Sequence, residues 1–356
     1  MIISRTPYRI SFFGGGTDYP DWYLENGGDV LVATIDKYCY LTCRYLPPFF
    51  EHKIRIVYSV IEVCQNVNEI KHPAVREILK FLTIKTGGLE IHHEGDLPAR
   101  SGIGSSSSFT VGLLHALYAL QGKMIGKHQL ALESIHIEQN LIKEIVGSQD
   151  QAATAYGGIN HISFSPCGEI LVRPMTLTQE RLKELNAHLM LFFTGVKRTA
   201  EKVAKSYVHN LEQKEKQLLL MKEMVHEAIA ILSSNNRDIC DFGKLLHETW
   251  VAKRSLSSLV SNAHVDSLYE MARGAGAIGG KLLGAGGGGF MMLFVKPENQ
   301  KKMKEKLNRF LHVPFNFEFN GSRIIFFDQQ QRYHYEEEVH SQNNISPTIE
   351  LKHLSK

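Results

Sequence analysis

Two carboxylates and two runs of small residues are the parts of this 356-residue chain whose types and spacing could do chemistry. The first run, Leu97 to Ser108 (LPARSGIGSSSS), lies between a strand-like segment and a helix-like one. Small residues let backbone amides approach a ligand closely, and a following helix turns its unpaired N–H groups and positive dipole end toward it. A phosphate chain is the natural guest. A flexible linker is the alternative, but a linker would not be bracketed so closely by two apolar, periodic segments. The GxxxxGK[ST] pattern of a P-loop is absent.

Glu138 follows Ile135 by three residues and precedes Leu141 and Ile142 by three and four, which places a carboxylate on the core-facing stripe of a helix. Ionised there it needs a partner, and Mg2+ held by one or two carboxylates or hydroxyls plus substrate phosphates meets that need. The alternative is a glutamate at the stripe's edge that reaches water. Asp150 comes next, in a Gly-Ser-Gln-Asp sequence that reads as a turn able to present it to a cleft. Turn-forming aspartates are also common without any catalytic role. The second small-residue run, Gly274 to Phe290 (GAGAIGGKLLGAGGGGF), leads into the apolar stretch Phe290 to Val295. Such glycine density before a core strand implies backbone that is bent tightly or pressed against something, and ligand proximity is the reading favoured here over a linker.

Positioning these groups requires a scaffold of strands and helices. Ile54 to Tyr58 and Leu89 to His93 alternate as half-buried strands do, and Asp29 to Tyr45 reads as a hairpin. Phe109, Leu113, Leu117 and Leu120 predict a helix after the serine cluster, capped at Gly122 in the left-handed region. A second helix is expected from about Lys127 to Val146, strands from about Asn160 and over Ala187 to Phe193, and an amphipathic helix over Glu201 to Ser233. A chain of 356 residues exceeds the size at which one core stops growing. Two lobes are expected, residues 1–180 and 181–331, followed by a polar tail over 332–356.

Lys and Arg total 40 against 37 Asp and Glu, with no basic stripe, which argues against nucleic acid as a partner. No signal-like segment opens the chain and no apolar run is long enough to span a membrane, so a cytoplasmic location without membrane attachment is expected. The five cysteines form neither CxxC pairs nor zinc spacings, and His92 and His93 read as structural. Composition implies no oligomeric state.

In this order, Pro7 to Tyr23 (PYRISFFGGGTDYPDWY), PARSGIGSSSS and KLLGAGGGGF resemble the three motifs of the GHMP kinases, the superfamily of galactokinase, homoserine kinase, mevalonate kinase and phosphomevalonate kinase. The resemblance spans residues 1 to about 330. It implies an α+β, two-lobed GHMP-kinase fold, with an N-terminal ribosomal-protein-S5-domain-2-like lobe and a C-terminal ferredoxin-like α+β lobe. It also implies ATP and Mg2+, with a small-molecule acceptor. Ser106 and Glu138 match the magnesium-binding serine and glutamate, Asp150 the catalytic aspartate, and Arg9 the basic residue beside it. The nucleotide would lie on Pro98, Arg100, Ser101, Gly102, Ile103, Gly104, Ser105, Ser106 and Ser107, faced by Gly284, Gly286 and Gly287.

Gly15, Gly16, Thr17, Asp18 and Tyr156 would line the acceptor site. Gly15-Gly16 stands where galactokinases carry Glu-His, which sets galactose aside. The GGGTDYP sequence is more similar to the branch acting on D-glycero-D-manno-heptose 7-phosphate, with bacterial fucokinases as cousins. That branch implies phosphorylation of the anomeric hydroxyl to a 1,7-bisphosphate, feeding nucleotide-activated heptose for surface polysaccharide. Lys197 and Arg198 could receive the phosphate already on such a substrate, or could be solvated surface charge. The competing readings are a free-sugar kinase of the superfamily, a decarboxylase of the diphosphomevalonate type, and a non-catalytic binding module.

Overall fold

The computed structural model describes residues 1–47, 49–84, 88–196, 203–206, 214–234 and 236–328. Their strands, in chain order, are β1 (Ile2–Phe13), β2 (Gly28–Tyr45), β3 (Ile54–Val57), β4 (Ile61–Cys64), β5 (Leu89–Gly95), β6 (Ile159–Phe164), β7 (Ile170–Pro174), β8 (Leu189–Phe193), β9 (Ala277–Leu282), β10 (Phe290–Val295), β11 (Leu311–His312) and β12 (Arg323–Phe327). They form two sheets: eight strands with the path β12-β1-β2-β5-β3-β4 and with β6-β7 branching from β2, and four strands in the order β11-β8-β10-β9. All pairings are antiparallel except β3 with β5.

Asp29 to Tyr45 is not the expected hairpin but most of one 18-residue strand. No glycine, proline or asparagine interrupts it, so nothing supplies a tight turn. The strand instead changes neighbour: β6 pairs with Gly28–Ala33 and β5 with Cys39–Tyr45, while β1 lies along the other side. β12 then adds to the free edge of β1, so the last described strand of the 181–331 segment sits in the first sheet.

The helix after the serine cluster runs over Ser105–Leu120, and Gly122 has the expected positive φ of 72°. The next helix stops sooner than expected, at Lys127–His136, and passes into a π-helical turn over Ile137–Leu141 that carries Glu138. Such one-residue insertions recur at functional sites. A seam of aromatic rings joins the two halves: Phe242, on the helix Cys240–Arg254, meets Phe12 at 5.4 Å and Phe13 at 5.0 Å, edge to face.

Candidate active site

Arg9 points from β1 into the mouth of the first small-residue loop. Its backbone N–H donates to Ile103 O at 3.1 Å and its Nη1 to Gly102 O at 2.6 Å. The other face of the guanidinium is bidentate to Asp150, Nε to Oδ1 at 2.6 Å and Nη2 to Oδ2 at 2.5 Å. This fork geometry is the strong, directional form of a charged hydrogen bond. Asp150 is in the first turn of the helix Gln149–Tyr156 and not in a turn between elements. Its side chain remains 21% exposed against 5% for Arg9, leaving the carboxylate the one open to a reactant.

Gly104 caps the helix Ser105–Leu120 with φ 72°, and a Cβ there would stand 3.0 Å from Arg9 Cγ and 3.3 Å from Asp150 Oδ2. Only glycine lets the loop pass over the pair. The rest of the loop is self-braced: the Ser101 hydroxyl donates to Pro98 O at 2.5 Å, and the Arg100 N–H donates to Ser105 Oγ at 3.2 Å.

The second glycine run closes on this loop through Gly284, one of the three glycines expected there, and through Phe290. A Cβ on Gly284 would stand 2.6 Å from Gly102 Cα, and Phe290 N–H donates to Ser101 O at 3.1 Å. Gly286 and Gly287 instead meet Val260: a Cβ on Gly286 would stand 2.7 Å from Val260 O, and Gly287 N–H donates to the same oxygen at 2.8 Å. Both thus rest on Val260.

Glu138 is buried, and its Oε2 accepts from Ser107 Oγ at 2.9 Å and from Gln151 Nε2. The serine joined to Glu138 is therefore Ser107, whereas Ser106, one position earlier on the helix, is exposed. Burial pushes the Glu138 carboxyl up to about 7, opposed by the Thr110, Gln151 and Ser107 contacts, while Glu144 adds to the rise. Glu138 Oε1 is buried with no hydrogen-bond partner. An orphaned carboxylate oxygen beside the first small-residue loop fits a cation. Among the described residues no three His, Cys, Asp or Glu side chains gather as a metal site, so such a cation would take its remaining ligands from phosphates and water.

The N-terminal motif is mostly committed to itself. The Thr17 hydroxyl donates to Gly14 O and Asp29 O, each at 2.9 Å. Asp18, expected to meet the acceptor, is 1% exposed, and its oxygens accept backbone N–H groups from Gly16 at 2.9 Å and Gln149 at 3.4 Å. Burial raises its pKa, the backbone bond from Gly16 opposes the rise and Asp150 adds to it. Asp18 thus anchors the start of the helix that carries Asp150. Gly15 is the open position: a Cβ there would lie 3.5 Å from Ser11 Oγ and 3.6 Å from Gln149 Nε2. Ser11 Oγ and Gln149 Oε1 are buried without partners.

Tyr156 is separated from this group, at the far end of the helix from Asp150, about 9 Å along its axis. Its carbonyl there accepts from Lys127 Nζ. Lys197 and Arg198 lie outside the described residues. Sequence reasoning placed Ser107 on the nucleotide loop without its bond to Glu138, and missed Ser11 and Gln149, as well as two lysines buried at the seam, Lys253 and Lys281. Lys281 interrupts the glycine run, and that interruption was the signal available for it.

The chain that carries these two loops and the Arg–Asp pair is similar to known proteins. Residues 67–158 match the family described as GHMP kinases N terminal domain, and residues 224–313 that described as GHMP kinases C terminal. The chain is 30% identical over 319 residues to D-glycero-alpha-D-manno-heptose 7-phosphate kinase of Campylobacter jejuni, covering 86% of this chain and 93% of that one. It belongs to the GHMP kinase family.

Within that family it is an ATP-dependent small-molecule kinase. It is also 27% identical over 261 residues to mevalonate kinase of Methanocaldococcus jannaschii, covering 68% of this chain and 78% of the relative. The fold is shared with a crystal structure described as a D-glycero-D-manno-heptose 1-phosphate kinase from Bacteroides thetaiotaomicron, at a TM-score of 0.76 and 23% identity, covering 92% of this chain and 100% of that one.

Proposed function

We propose that this kinase transfers the γ-phosphoryl group of ATP to the anomeric hydroxyl of D-glycero-D-manno-heptose 7-phosphate. The observation that carries the transfer chemistry is the Arg9–Asp150 pair set under Gly104. The similarity to the Campylobacter jejuni enzyme supports the acceptor. A cytoplasmic location belongs to the same proposal, and no helix among the described residues is long and apolar enough to cross a membrane.

Phosphoryl transfer asks a protein for positioning and charge neutralisation more than for covalent chemistry. The amides of Gly102 to Ser107 and the N-terminus of their helix bind the triphosphate. Asp150 accepts the acceptor hydroxyl's proton. Both its oxygens already receive Arg9, but a carboxylate has about four lone-pair sites, so capacity for the substrate remains. Arg9 orients that carboxylate and offsets negative charge on the transferred group. Glu138 would hold Mg2+, with Ser106 the expected hydroxyl ligand and Ser107 the observed neighbour; bound there, the ion supplies neutralisation of phosphate charge. Ser11 and Gln149, beside Gly15, offer unsatisfied polar atoms to the sugar hydroxyls.

ATP consumption with magnesium, measured across heptose 7-phosphate, unphosphorylated heptose, fucose, galactose and mevalonate diphosphate, tests the reading. Turnover confined to heptose 7-phosphate is expected. Turnover on a free sugar would keep the mechanism and refute the phosphorylated acceptor, and release of carbon dioxide from the diphosphate would refute the kinase assignment at this site.

A further inference from the structure

Two lysines that the transfer chemistry does not use are buried where the two sheets meet. Lys253, on the helix Cys240–Arg254, is 6% exposed, and its Nζ donates to Leu282 O at 3.1 Å and to Gly284 O. Lys281, on β9, is 1% exposed and donates to Phe12 O on β1 at 2.8 Å. Lysine is rarely buried this far, because carbonyl contacts replace only part of its hydration.

What Lys253 holds is informative. Gly284, whose carbonyl it binds, packs backbone to backbone on Gly102, and Gly102 O is the acceptor of Arg9 Nη1. An unbroken path of contacts therefore links Lys253 to Asp150 through both glycine loops. The charged groups facing Lys253 come from separate elements: Arg9 on β1, Asp18 after it, Asp150 on the helix Gln149–Tyr156, and Lys281 on β9. One guanidinium and two buried lysines thus face two carboxylates, and a bound anion would favour the charged forms of those lysines.

We propose that Lys253 is a positioning residue for the phosphoryl donor, holding the Leu282–Gly284 turn against the phosphate loop and completing, as an ammonium, the positive side of the donor subsite. This rests on the kinase reading and adds a residue to it. Burial, then Arg9, lowers the Lys253 ammonium to about 7, with Asp18 and Asp150 acting against the shift. The positive form is complete below that value and is lost as pH rises through it, unless a bound triphosphate retains the proton.

The test is direct binding of ATP, without sugar and without metal so that Glu138 is not engaged, at pH 7.5 and 9.5. The wild type should bind at least about tenfold more weakly at the higher pH. Lys253→Met should already be about tenfold weaker at pH 7.5 and change less than about twofold between the two. Lys253→Gln keeps an N–H donor for the carbonyls without the charge, so it serves if the Met variant fails to fold; its affinity should be pH-independent and its melting temperature close to wild type. Wild-type binding that either folded variant matches, with the same pH slope, overturns the inference alone. No ATP binding by the wild type overturns the kinase reading and this inference with it.

Discussion

Arg9 and Asp150 lie 141 positions apart in the chain and are joined by two hydrogen bonds of 2.6 and 2.5 Å. β1 brings the cation and the helix Gln149–Tyr156 brings the carboxylate, and Asp18 ties the two elements together through Gln149 N–H. The pair is thus held by backbone on both sides.

Asp150→Asn removes the base while keeping the shape of the side chain. We expect kcat to fall by about 10²- to 10⁴-fold with ATP affinity retained. An equal loss of ATP affinity would show that the residue serves binding instead.

Glu138 should link metal use to pH. Its folded pKa of about 7 lies above the ordinary 4.5, so the folded protein holds a proton that the unfolded chain has released within that window. Without metal, stability contributed by this group is full below 4.5 and lost as pH rises through about 7. Metal competes for the ionised form, so the magnesium requirement should rise about tenfold per pH unit well below that value. Glu138→Gln should raise the requirement at every pH and flatten the dependence. Magnesium titrations of activity from pH 6 to 8 would detect it, and an unchanged requirement would return Glu138 to a purely structural role.

Lys281 has the opposite sign. Burial holds its ammonium well below 10.5, so between that depressed value and 10.5 the unfolded chain binds a proton the folded one lacks. Its contribution to stability therefore grows with pH toward 10.5 and is lost as pH falls through the folded value. Urea unfolding at pH 7.5 and 9.5 should show a smaller rise in Lys281→Met than in wild type; parallel behaviour would mean the ammonium is not desolvated in solution.

Gly284→Ala would drive a methyl group to 2.6 Å from Gly102 Cα at a φ of 69°. Neither backbone can swing aside as a side chain would. A destabilisation of about 1–3 kcal/mol is expected, together with a higher KM for ATP. Thermal melting and ATP kinetics check both, and a silent substitution would place the two loops further apart than described.

Ser11 Oγ is buried without a hydrogen-bond partner among the described residues, which costs free energy unless a further group pairs it. Ser11→Ala should leave the free protein unchanged or more stable by about 1 kcal/mol while weakening the sugar. Comparing melting temperature with sugar KM separates the two effects, and an unaltered sugar KM would exclude the hydroxyl from the acceptor site.

Glu138 was legible from spacing alone, because a carboxylate at helical intervals from Ile135, Leu141 and Ile142 contradicts its own stripe. The break after His136 was not, since a π-helical turn absorbs one residue without any glycine or proline to announce it. Asp150 and Arg9 had ordinary local settings and gained meaning only from the motif resemblance and then from their contact. Asp18 and Thr17 carried the right motif, yet the fold spends their polar atoms on neighbouring backbone. Lys253 sits in KLLHETWVAKR, where a lysine reads as a solvated helix cation. Only the approach of β9 and its following turn buries it. Interactions between distant segments were thus the part that local pattern did not carry.

β1 is flanked by β2 on one side and β12 on the other, so the first of the described strands is completed by the last of them. During synthesis the nascent sheet would expose an unpaired edge at β1 until residues 323–327 emerge, a span of more than 300 residues during which that edge is available to chaperones or to another chain. A fragment cut near residue 180 would inherit the same open edge for good, which makes early translational arrest a route to aggregation for this kinase.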